Sequence, residues 1–195
     1  MIRWATMLLI LGLAVLVGCQ QNPAHFHGKN ITGVMPDLAF TLTGENNQTV
    51  TAQDMQGKAV LLFFGYTHCP DYCPTTLTAI AQALKSLPEN QRDQVRVLFV
   101  SVDPRRDTPA LLKQYTHYFG KQIHGLTGNK AQLDAITKRY RTAYGYGKPD
   151  AHGHYSVSHG LAIYGFDKQG RVHLLMRNDE PPQQMAEDIA TLVAL

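Results

Sequence analysis

The sequence predicts an α/β domain in which a mixed sheet is flanked by helices, and three observations carry that expectation. Ala59-Val60-Leu61-Leu62-Phe63-Phe64 is an unbroken apolar run, the pattern of a strand buried on both faces. Thr75 to Leu87 follows with Leu77, Ile80, Ala81, Leu84 and Leu87 at helical spacing. Val95 to Val102 is a second apolar run, and a strand–helix–strand succession implies a parallel pair.

At the beginning of the chain, Met1-Ile2-Arg3 sets a positive charge ahead of the apolar stretch Ala5 to Val17. That stretch falls short of the roughly 20 residues of a membrane-spanning helix and suits an export signal. Leu16-Val17-Gly18-Cys19 ends it and resembles the bacterial lipobox, with Cys19 as the residue to be lipidated. An uncleaved signal anchor with an incidental cysteine is the alternative. Both readings put the domain outside the cytoplasm. The lipoprotein reading anchors it in a bacterial cell envelope, facing the periplasm or the outer side. Residues 20–33 are polar, carry Pro23 and Gly28 without periodicity, and read as a flexible tether with His25 and His27 solvated. The domain itself is expected over residues 34–195.

Leu38 to Thr43 alternates as a half-buried strand, turns at Gly44 to Gln48 and returns as Thr49-Val50-Thr51. Beyond Val102, Thr108 as N-cap and Pro109 in the first turn start a helix that runs to about Gly120. Asn129 caps another, Lys130 to about Ala143, with Leu133, Ile136 and Tyr140 on one face. Tyr144 to His154 reads as an exposed loop and Val157 to Phe166 as one strand. Asp167-Lys168-Gln169-Gly170 makes a hairpin turn into Arg171 to Met176. Pro181-Pro182 opens a closing helix through Leu195. The order hairpin, β, α, β, α, α, β-hairpin, α fits a thioredoxin-like layout.

The net charge of +3 comes from 18 Lys and Arg against 15 Asp and Glu, and the basic residues occur singly or in pairs. No basic stripe with interleaved aromatics exists, which excludes a nucleic-acid partner on charge grounds. With Cys19 assigned to the lipobox, Cys69 and Cys73 are the only cysteine pair of the domain. They lie in the strand-to-helix turn, Cys73 at the N-terminal end of the helix, where backbone N–H groups and the helix dipole favour thiolate. Their Cys-x-x-x-Cys spacing brings both sulfurs within reach of one ion and also permits a disulfide. An inert buried pair or a plain stapling disulfide is the bland alternative.

Among nine histidines, His117 and His124 read as packing or surface residues, and His173 is left open. His68 reads as a neighbour of the cysteines rather than a ligand, and His152 and His154 as weak extra donors in a loop. His159 stands apart. It sits at the mouth of the strand after that loop, where redox members of thioredoxin-like folds carry a proline facing the cysteine turn. This chain has no proline between Pro149 and Pro181. Two thiolates and an imidazole suit a soft or borderline cation: thiolate selects Cu(I), zinc and iron–sulfur clusters, and imidazole keeps Cu(II) acceptable.

Gly65-Tyr66-Thr67-His68-Cys69-Pro70-Asp71-Tyr72-Cys73-Pro74, Ser101-Val102-Asp103-Pro104-Arg105-Arg106-Asp107-Thr108-Pro109 and Tyr155-Ser156-Val157-Ser158-His159 together resemble the Sco/SenC family. The resemblance covers about Val34 to Leu195. It implies a thioredoxin-like fold and copper, Cu(I) or Cu(II), held by Cys69, Cys73 and His159. It implies a role in maturing the dinuclear copper centre of cytochrome c oxidase. The implied partners are subunit II of that oxidase or another copper-requiring oxidase, other copper chaperones or thiol–disulfide proteins, and the membrane through a lipid anchor. Many members carry Asp just before the histidine, where this chain has Ser158. Asp103 and Asp107 are read as strand-exit and cap chemistry or as part of a partner surface, outside the ligand set. Two functions follow: a membrane-tethered copper metallochaperone, or an enzyme, a thiol–disulfide oxidoreductase that reduces partner cysteines and uses Cys69 and Cys73 as its catalytic pair.

Overall fold

The computed structural model describes residues 24–195; the expected export signal and the expected lipidation residue Cys19 lie outside the described residues. The elements are β1 (Lys29–Asn30), β2 (Thr41–Gly44), β3 (Thr49–Thr51), β4 (Ala59–Gly65), α1 (Tyr72–Ser86), α2 (Glu89–Arg92), β5 (Val95–Ser101) and α3 (Pro109–Phe119). There follow β6 (Ile123–Thr127), α4 (Lys130–Arg139), β7 (Tyr144–Tyr146), β8 (Val157–His159), β9 (Ile163–Phe166), β10 (Val172–Met176) and α5 (Pro182–Ala194). Eight strands form one mixed sheet in the order β1-β10-β9-β4-β5-β6-β2-β3. The fold is thioredoxin-like. Among the described residues, no helix is long and apolar enough to cross a membrane.

β4 needs no polar residues because both of its faces are covered, and all seven of its residues are buried. Phe63 meets Phe99 at 6.0 Å between ring centroids, while the next residue, Phe64, meets Tyr164 at 6.3 Å. Successive side chains point to opposite faces, so these two rings anchor the two halves of the core. β4 runs parallel to β5 from Ala59 opposite Val95 to Gly65 opposite Ser101, and β5 runs parallel to β6. The ends of β4 and β5 are therefore level, and the segments leaving them lie side by side. α1 packs against α5 and touches α3. The predicted caps form: Thr108 Oγ1 accepts from the N–H of Leu111 at 3.3 Å, and Asn129 and Gln132 complete a reciprocal capping box.

The structure corrects three expectations. The expected tether of residues 20–33 is packed onto the domain from Phe26 onward. Phe26 and Ile31 are buried, Lys29–Asn30 pairs with β10, and the N–H groups of His27 and Gly28 donate to Asp188 at 2.8 and 2.9 Å. Two apolar residues spaced five apart leave no periodic signal, although they are enough to hold the segment down. No apolar run marks a strand between the two helices, yet β6 lies there as an interior strand between β5 and β2. It is short and broken by His124 and Gly125, and the glycine is there because a Cβ would lie 2.7 Å from Leu112 Cβ on α3. The strand expected over 157–166 is two strands. Its first part, β8, leaves the main sheet to pair with β7, so Tyr144 to Tyr146 are not loop.

Candidate metal site

Cys69, Cys73 and His159 come together at the level end of β4 and β5. Cys69 lies in the loop after β4, held by its N–H to the Tyr66 carbonyl at 3.3 Å. Cys73 is the second residue of α1, which begins at Tyr72, and its N–H points at Cys69 Sγ from 3.4 Å. His159 ends β8 and brings Nε2 to 3.4 Å from Cys73 Sγ. Its Nδ1–H donates to the Gly160 carbonyl at 3.0 Å, which leaves the Nε2 lone pair toward the thiols. Tyr66 and Phe63 flank the ring edge-on, at 5.8 and 6.2 Å. Both cysteines are free thiols, and the three ligand atoms lie within 4.8 Å of one another.

The close approach has a sequence cause at Gly65. A Cβ there would sit 2.7 Å from Cys73 Sγ and 2.5 Å from the Phe99 ring. Only glycine lets α1 start directly over the end of β4.

Electrostatics at Cys73 run against the thiolate expected from helix position alone. Cys73 is fully buried, and desolvation drives its thiol far above the ordinary value, with the neighbouring Cys69 adding to the effect. A helix N-terminus offers about 0.3–1 kcal/mol to a negative charge, whereas full burial moves a pKa by up to about 3–5 units at roughly 1.4 kcal/mol each. Burial wins. Desolvation also lowers the pKa of His159, against the Gly160 hydrogen bond. Without metal the site is thus a neutral thiol donating to a neutral imidazole, and a cation is what makes its ionised form favourable.

A buried frame holds the three ligands. Asp107 accepts from the Thr67 N–H at 2.9 Å, the Thr67 hydroxyl at 2.6 Å and the Ser101 hydroxyl at 2.5 Å, tying the cysteine loop to the end of β5. Asp103 accepts from Arg106 Nε at 2.5 Å and from the Tyr155 hydroxyl at 2.8 Å. The Arg106 guanidinium lies 3.8 Å over the Tyr155 ring and donates to the Tyr155 carbonyl at 3.1 Å. Tyr155 stands four residues before His159, so this clamp aims the histidine strand. Asp103 and Asp107 are fully buried and face inward, which removes them from any partner surface. Their role was hidden in the sequence because it depends on segments about 40 and 50 positions away; the Asp103–Asp107 motif was the only signal.

The remaining residues fall where their chemistry allows. His68 Nδ1 lies 3.0 Å from the Thr67 hydroxyl, outside the ligand cluster. His152 and His154 stay in an exposed loop. Ser158, in the place of the family's Asp, is exposed and donates to the Gly145 carbonyl at 3.3 Å, turned away from His159. His117 and His124, read as packing or surface residues, both approach the carboxylate of Glu45.

Thiols and an imidazole gathered where a thioredoxin-like sheet ends its central strands define a class: thioredoxin-like proteins whose cysteine turn is completed by histidine rather than proline. The chain belongs to the SCO1/SenC family, whose model matches residues 34–194. It is 37% identical over 132 residues to the bovine mitochondrial SCO2 homolog, covering 67% of this chain and spanning 50% of that protein's length. ScoI of Bradyrhizobium japonicum with copper bound shares 36% identity at a TM-score of 0.72, over 80% of this chain and 99% of that one. Apo Sco1 of Thermus thermophilus shares 32% identity at a TM-score of 0.76, over 90% and 100%.

Proposed function

We propose that this protein carries copper on Cys69, Cys73 and His159 and passes it to the dinuclear copper centre of cytochrome c oxidase at the outer face of a membrane. The observation that carries the reading is the cluster itself: two free thiols and an imidazole within 4.8 Å, with Nε2 presented to the sulfurs. Thiolates select Cu(I), and imidazole keeps Cu(II) acceptable. Copper is cargo here. Three protein ligands at the end of a sheet leave room for an incoming donor from the acceptor protein, so the ion leaves by exchange of ligands one at a time. Family membership and the copper-bound Bradyrhizobium relative support the choice of copper over zinc. Lipidation at Cys19 is part of the proposal, since confinement beside a membrane partner raises effective concentration without any new contact.

Thiol–disulfide exchange with partner cysteines remains a second reading, because both thiols are reduced and adjacent. The burial of Cys73 weighs against it, since the attacking species must be an accessible thiolate.

His159→Ala separates the two. Losing a group that merely orients a ligand costs about 10–100-fold in metal affinity, so losing the ligand should cost at least as much. The dithiol should still form and break its disulfide. The expected outcome is weak copper binding, deficient oxidase in cells carrying the variant, and normal cycling of the purified protein in a thiol–disulfide buffer. Normal oxidase activity despite weakened copper binding would exclude delivery as the essential role.

A further inference from the structure

A second group of metal-ligating side chains lies at the other end of β6. β2 reaches β6 only at Leu126 and Thr127, so the strand edge before them lacks a neighbour. Glu45, the residue after β2, fills that gap. Its Oε2 accepts from the Gly125 N–H at 2.9 Å and from the Thr116 hydroxyl at 3.3 Å. Its Oε1 is left facing His117 Nε2 at 2.8 Å and His124 Nδ1 at 3.5 Å. Three elements converge on this point: the β2–β3 turn, α3 and β6. The three ligand atoms lie within 4.8 Å of one another.

We propose that Glu45, His117 and His124 form a second cation site, for a borderline dication such as Zn2+ or Cu2+, independent of the cysteine site. Two imidazoles and a carboxylate are the donor set that such ions take, with water in the remaining position. The spacing suits them. Ligand atoms about 2.0–2.1 Å from a tetrahedral ion stand about 3.3 Å apart, and the observed 2.8 and 3.5 Å bracket that value. Without an ion, His117 Nε2 and Glu45 Oε1 share a hydrogen bond, which an entering ion must displace. Burial opposes the Glu45 charge, but the Gly125 N–H and His117 outweigh it and hold the carboxyl below its ordinary value. Burial lowers the pKa of His124. The carboxylate side chain is 8% exposed and those of His124 and His117 are 32% and 44% exposed, so a fixed anchor is joined by two imidazoles open to entering ions. Arg96 lies beside the site in the wall of a cavity of about 290 Å³. Its guanidinium donates to the Val95 and Asp93 carbonyls, and its charge still reaches His124 and adds to the lowering of that imidazole's pKa.

The site is separate from the cysteines. His124 is level with Leu98 and Leu62, three residues before Gly65 and two strands across. That is about 10 Å along the strands and about 10 Å across them, too far for one ion. The chain therefore offers a nitrogen–oxygen site for a dication beside a thiolate site suited to Cu(I).

The test uses the full chain without a tag, with Cys69→Ser and Cys73→Ser removing the thiolates. Zn2+ is titrated against a chromophoric chelator, and Cu2+ binding is followed by electron paramagnetic resonance. One ion per chain is expected, with imidazole nitrogen couplings in the Cu2+ spectrum. Adding His117→Gln, a change at a half-exposed side chain, should weaken binding at least tenfold. His124→Gln should do the same. In the protein with both cysteines, His117→Gln should leave one Cu(I) bound, so failure here is distinguishable from failure of the cysteine site. No dication bound, or binding indifferent to both histidine substitutions, overturns the proposal.

Discussion

At Cys73 the decisive quantity is burial. A thiol so far above its ordinary value keeps its proton across the neutral range, and metal binding must expel that proton. Loading with Cu(I) should release at least one proton per chain, read by a pH indicator in weak buffer. Apparent affinity should rise as pH rises, because the free form holds the proton and the loaded form does not. Binding indifferent to pH between about 6 and 8 would mean that Cys73 is not a ligand. That Cys69, Cys73 and His159 come together was readable in the sequence because each is marked locally, by cysteine spacing, helix position or the missing proline. The ionisation state of Cys73 was not, because it depends on Gly65, Phe99 and the α1 packing that bury the sulfur.

At the scale of elements, two buried aspartates join three segments that are far apart in sequence. Asp107→Ala removes the acceptor for the Thr67 amide, the Thr67 hydroxyl and the Ser101 hydroxyl. An orphaned buried donor costs about 1–3 kcal/mol, so a loss of roughly 3 kcal/mol in unfolding free energy is expected by denaturant titration. Copper affinity should fall as well, because the Cys69 loop loses its hold on β5. Stability and affinity equal to wild type would show that the frame does not position the cysteines. The caps of α3 and α4 were legible because Thr108-Pro109 and Asn129 act on their own helices. β1 and β6 were not, since their pairing partners are remote and each carries too few apolar residues to show a period.

At the scale of the whole molecule, the thioredoxin-like fold followed from apolar runs and helical spacing, while the length of the tether did not. Phe26 enters the core seven residues after Cys19. A fully extended chain of that length reaches at most about 25 Å, so a lipid on Cys19 would hold the metal site's domain close against the bilayer rather than on a long leash. Cys19→Ala should abolish labelling by a radioactive fatty acid and release the protein from membranes on fractionation. Equal labelling of wild type and variant would remove the lipid anchor from the account.

The central claim is that one copper ion sits between two sulfurs and one imidazole. Copper K-edge X-ray absorption on the reduced full-length protein, loaded with a single equivalent of Cu(I), measures this directly. The account predicts two sulfur scatterers and one imidazole nitrogen in the first coordination sphere, with the nitrogen contribution lost in His159→Ala and a sulfur lost in Cys69→Ser or Cys73→Ser. A first sphere of nitrogen and oxygen alone, unchanged by these substitutions, would contradict it.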